Sequence, residues 1–142
     1  MIAANRMPML AFRLAAALIL AALPAVASAS GITVKMGESW LFALERGRPV
    51  KARKAQPTAI PAPGQVLVVL RPMFGSTMSV FGNLPTATAF RATLILSDGS
   101  RGSVRACSLP AGRMTVVENW PKPVAAIRLD RFKQAPQGGA CP

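Results

Sequence analysis

Glu38, Glu45, Asp98, Glu118 and Asp130 are the five acidic side chains of a 142-residue sequence that contains no histidine and no tyrosine. Without imidazole the chain lacks the usual general base, the usual activator of a serine or cysteine nucleophile, and the commonest transition-metal ligand. The chemistry left open is that of paired carboxylates, which cleave glycosidic bonds when they stand about 5 to 10 Å apart. No two of the five are convincingly together in the sequence. Asp98 belongs to an Asp98-Gly99 turn, Asp130 to the solvent face of a strand, and Glu45 is placed to neutralise Arg46 and Arg48. Glu38 and Glu118 are the least explained. Each lies near a tryptophan, in Glu38-Ser39-Trp40 and Glu118-Asn119-Trp120, as acids do on sugar-binding surfaces, although core packing is the expected role of both indoles.

The densest charge is positive: Arg46, Arg48, Lys51, Arg53 and Lys54 put five cations within nine residues. On an edge strand such residues discourage sheet-to-sheet association, which is a sufficient reason for their presence. As a binding patch they would take anionic envelope lipid or polysaccharide, each cation near a charged surface contributing about 1 kcal/mol that salt screens. Nucleic acid is disfavoured as a partner, because no aromatic residue interleaves the cluster to stack on bases. No motif for a metal or other cofactor is present.

Cys107 and Cys141 are the two cysteines. In an exported chain two thiols pair, and closing the loop between them would stabilise the fold by roughly 3 to 4 kcal/mol. The staple would pin the Gly-rich tail, residues 135–142. There is no C-x-x-C pair to lower a thiol pKa, so redox catalysis is the weaker reading.

Export is written at the N-terminus. Arg6 and Arg13 precede an unbroken apolar run at residues 14–23 (LAAALILAAL), Pro24 ends it, and Ala27 and Ala29 form the small-residue pattern of a signal-peptidase site. The apolar part is shorter than the ~20 residues of a spanning helix. Residues 1–29 are therefore expected to be a cleaved signal peptide, with Met1 or Met7 as the start, leaving one domain from 30 to 142 in the periplasm or outside the cell. With no twin arginine and no cysteine at the cleavage site, the mature protein should be free of lipid and of any transmembrane segment. Of 17 basic residues 2 lie in the leader, so the domain carries 15 against 5 acids. Such a charge attracts polyanions but says nothing about fold.

The elements that must hold these residues read as strands. Ile32, Val34 and Met36 alternate with polar neighbours, and after Gly37 the alternation resumes at Trp40, Phe42 and Leu44. A turn around Gly47 and Pro49 leads to a strand near residues 50–55. Three prolines make residues 56–64 a loop or connecting arm. Residues 66–70 (VLVVL) read as a strand buried on both faces. A short strand lies between the corner at residues 72–75 and a break at residues 82–85. Phe90, Ala92, Leu94 and Leu96 lead into Asp98-Gly99, which favours a type I′ hairpin. Strands through residues 103–109 and 112–116, and one carrying Ile127, Leu129 and Phe132, complete the chain. Seven or eight short strands without a 3.6-residue period predict an all-β, antiparallel sandwich, immunoglobulin-like or jelly-roll-like, with a small barrel as the alternative.

Through Gly37-Glu38-Ser39-Trp40, Ala92-Thr93-Leu94-Ile95, Asn119-Trp120-Pro121 and the closing Ile127 to Phe132, the mature chain resembles small exported proteobacterial proteins of unassigned function. That resemblance implies no activity, ligand or catalytic residue. The expected function is a non-enzymatic, envelope-associated interaction module whose partner is another envelope protein. The alternative is a module that binds anionic lipid or polysaccharide through residues 46–54, and a two-carboxylate carbohydrate-active enzyme ranks third.

Overall fold

A computed structural model describes residues 30–135, without the side chains of residues 103–107. The leader, Cys141 and the tail after Ala135 lie outside the described residues, as does the Cys107 side chain, and the expected cysteine pairing lies there with them. Nine strands form: β1 (Gly31–Lys35), β2 (Ser39–Glu45), β3 (Arg48–Lys54), β4 (Gln65–Arg71), β5 (Ser76–Leu84), β6 (Thr88–Ile95), β7 (Arg101–Leu109), β8 (Gly112–Trp120) and β9 (Ala126–Gln134). They make two antiparallel sheets, one ordered β1-β9-β6-β7 and the other β3-β2-β4-β5-β8. The sheets do not close on each other, so the fold is a β-sandwich and not the alternative barrel. Among the described residues no helix is long and apolar enough to cross a membrane.

The alternation read from the sequence builds the core directly. Ile32 and Val34, Phe42, Val66, Val68 and Leu70, Met78 and Val80, Phe90, Ala92 and Leu94, and Ile127 and Leu129 all face inward and are buried together. β4 is buried on both faces, as its unbroken apolar run predicts. Its other face, Leu67 and Val69, joins Leu41 in a second cluster covered by Ala55, Ala59 and Phe81. The Pro-rich arm at residues 56–64 therefore folds back over the outside of the larger sheet, where its missing backbone donors disturb no ladder.

Three expectations change. Among the described residues there are nine strands, because the chain crosses between sheets at Gly37 (φ 85), separating β1 from β2. β5 runs nine residues, through the expected break at Gly82 and as far as Leu84. Gly82 is there for space: a Cβ at this position would collide with the Leu109 side chain. The Asp98 hairpin is also not type I′. Gly99 alone has positive φ, and its N–H bonds to Leu96 O at 2.9 Å, which makes a three-residue loop closed by a glycine bulge.

Bulges explain where strict alternation fails. Ala89 pairs with Lys133 but Arg91 with Asp130, so β9 carries one residue more than β6. The extra residue, Arg131, sits at φ 55 and turns Phe132 back into the core, against Phe42 and Phe90.

Candidate functional site

The basic cluster occupies the β2–β3 hairpin. At its turn Arg46 and Gly47 have φ of 51° and 74°, the conformation of a two-residue type I′ turn, whose twist suits the strands on either side. Glycine is required at 47 twice over, because a Cβ there would also press on the Phe132 carbonyl of the facing sheet. β3 then runs as the outermost strand of the larger sheet, paired on one side only.

A bulge decides which way its cations point. Leu41 pairs with Arg53 and Ala43 with Val50, so β3 carries one extra residue, and Lys51 absorbs it at φ 53. Before the bulge Arg48 lies across from Glu45, and after it Arg53 lies across from Leu41, both on the outer face of the sheet. In an unbulged strand Arg48 and Arg53 would point to opposite faces. All five cluster residues are exposed.

Lys54 differs from the other four. Its ammonium lies 2.9 Å from the Glu38 carboxylate. Glu38 also accepts the Trp40 indole N–H at 2.8 Å and the Lys35 backbone N–H at 3.2 Å. Those contacts, the indole bond first, hold the Glu38 carboxyl down to about 2 against the smaller opposing cost of desolvation. Glu38 is thus a clamp at the entrance to β2. Among the described residues Arg46, Arg48, Lys51 and Arg53 form no ion pair, and Glu45, although opposite Arg48 in register, does not close one.

Beside the turn, a cavity of about 490 Å³ opens between the sheets, with Leu44, Leu84 and Phe132 inside and Arg46 and Lys133 at its mouth.

The two unexplained acids are not brought together. Glu38, Leu70, Met78 and Glu118 lie level across four strands, joined by a Leu70 N–H bond to Glu38 O at 3.1 Å and by the pairings of Leu70 with Met78 and of Met78 with Glu118. Three strand spacings separate the acids by about 14 Å, beyond the span of a glycosidase pair. Fully buried Leu70 and Met78 fill the gap. Trp120 is buried and Trp40 packs half-buried on the same core, so neither indole offers a sugar platform. Asp98 accepts from the Ser100 N–H and hydroxyl within its own turn, and Asp130 pairs with Arg91 and Arg128. Among the described residues no three of His, Cys, Asp and Glu gather as a metal site would require. No protein family, curated protein or solved structure matches the chain.

Proposed function

We propose that this is an exported, non-enzymatic β-sandwich that acts through its surface, and that its β3 edge binds the phosphate or carboxylate groups of anionic envelope lipid or polysaccharide. The observation that carries the reading is the set of four exposed cations, Arg46 at the turn and Arg48, Lys51 and Arg53 on an edge strand, without an ionic partner among the described residues. An edge that needed charge only to repel other sheets could take paired lysines or aspartates equally well. Two of the four, Arg46 and Lys51, stand at left-handed positions that asparagine or glycine would fill with less strain, so stability does not account for them. Export supplies the oxidising compartment and the anionic surroundings.

The test is retention on dextran sulfate and on lipopolysaccharide, compared at low and physiological salt. Retention should fall steeply with salt, and reversing Arg48 and Arg53 to glutamate should abolish it. Those two are better chosen than Lys54, whose loss would also release Glu38. Unchanged retention in the double variant would reduce the edge to solvated charge. Mass spectrometry of the exported form should find Ser30 first and the two cysteines joined.

A further inference from the structure

The corner between β4 and β5 raises a separate question. Phe74 is 89% exposed, more than any other large hydrophobic side chain among the described residues, and Met73 beside it is 54% exposed. Phe74 also holds φ at 49°, a left-handed backbone that glycine or asparagine adopts readily and an aromatic residue does not. Neither burial nor backbone preference accounts for a phenylalanine here.

The corner is bolted in place. Asn119 Nδ2 donates to Met73 O at 3.0 Å and to Thr77 Oγ1 at 2.8 Å, and Thr77 Oγ1 donates to the same Met73 O at 2.9 Å. Gly75, at φ 100, lies so close to the backbone of Trp120, Pro121 and Lys122 that no side chain would fit. Ser76 Oγ donates to Lys122 O and accepts the Val124 N–H, both at 3.0 Å. The apolar tip is therefore presented in one shape, and little ordering remains to oppose its docking.

Cations stand behind it. Lys122, whose backbone abuts Gly75, is exposed, as is Lys35 at the end of β1 in the same end of the sandwich. Arg71 opens the corner, its guanidinium donating to Gly37 O and to Ser39 Oγ. Of the acids at this end, Glu38 is held by Trp40 and Lys54, Asp98 by Ser100, and Glu118, level with Glu38 in the sheet, is buried.

We infer that the β4–β5 corner is a bilayer-docking tip: Phe74 and Met73 enter the headgroup layer of an anionic membrane while Lys122 and Lys35 stay at the level of the lipid phosphates. Apolar rings and thioethers favour that boundary, and long basic side chains reach from it to the phosphates. The β3 edge is not needed for this, so the two proposals fail separately.

The protein purified from the exported fraction is mixed with vesicles of phosphatidylglycerol and phosphatidylethanolamine, or with neutral phosphatidylcholine vesicles. F74W should show, beyond the signal of Trp40 and Trp120, an emission that shifts to the blue on anionic vesicles and is quenched by bromine-labelled acyl chains. F74S and M73S, altered at exposed positions, should each weaken vesicle binding at least tenfold and leave retention on dextran sulfate unchanged. The R48E/R53E variant should lose dextran sulfate and keep the F74W quenching. A bound F74W that is neither shifted nor quenched, an F74S variant that binds vesicles like the parent, or a parent that ignores vesicles and instead docks Phe74 on a protein would each overturn the inference.

Discussion

Arg91 and Asp130 stand directly opposite each other in the β6–β9 register and close a two-pronged ion pair, with Nε 3.0 Å from Oδ1 and Nη2 3.1 Å from Oδ2. Arg128, on the same strand as Asp130, approaches Oδ2 at 3.7 Å. The pair ties the middle of the smaller sheet together on its outer face.

The Arg91 hydrogen bonds hold the Asp130 carboxyl below its ordinary value, against partial desolvation and with help from the charges of Arg91, Arg128 and Arg131. A depressed carboxyl stabilises the fold fully above its unfolded pKa of about 3.9, and that contribution is lost as pH falls through the folded value. Urea melts taken from neutral pH into the acid range should show this loss. Asp130→Asn should be less stable at neutral pH and should have a flatter acid limb.

The Glu38 carboxyl is held down to about 2 by its bonds to Trp40, Lys54 and Lys35. Its stabilisation should be whole above the ordinary 4.5, fall progressively below it, and be gone on approach to about 2. Carboxyl NMR shifts would locate the midpoint. Glu38→Gln keeps an acceptor for the Trp40 indole but loses the Lys54 ion pair, so it should leave Trp40 emission in place and remove the titration.

Gly82→Ala should destabilise by about 1 to 3 kcal/mol, the usual cost of forcing a group into a filled core. Its methyl would meet the side chain of Leu109, itself 2% exposed in the core. Leu109→Ala alone should cost about 2 to 5 kcal/mol. The double variant should cost less than the two together, because the methyl then enters the space the leucine left. Denaturant melts of the four proteins settle this.

Arg46→Asn should raise stability by about 1 kcal/mol, since asparagine tolerates the left-handed turn that arginine occupies. The same change should weaken retention on dextran sulfate. Gains and losses in these opposite directions would separate a residue kept for its charge from one kept for folding.

Phe132→Ala should cost about 3 to 5 kcal/mol, a large share of the stability of a small domain. The ring lies 5.8 Å from that of Phe42 and 5.9 Å from that of Phe90, bridging the two sheets. Phe132→Leu should recover part of the loss in the same melts.

What could be read in advance followed from short-range pattern. The Ile32, Val34 alternation and the solid apolar run of β4 needed no knowledge of distant residues, and both pack as read. The bulges were hidden because lysine and arginine fill them: nothing about Lys51 or Arg131 announces a left-handed residue. Gly82 misled in the opposite direction, reading as a strand breaker when it answers to Leu109 in another strand. At the candidate edge the cations were evident from composition, but their faces depended on the Lys51 bulge. The corner that carries Phe74 is tied down by Asn119, 45 positions further along the chain than Phe74, so from sequence residues 72–75 read simply as a turn.

β1 pairs with β9 alone, the first of the described strands with the last. A chain emerging in order from its synthesis or through a narrow pore has nothing to receive β1 until residues 126–130 arrive. The larger sheet can pair without β9, whereas the smaller sheet waits for it, so the strand that leads the chain is among the last to find its place.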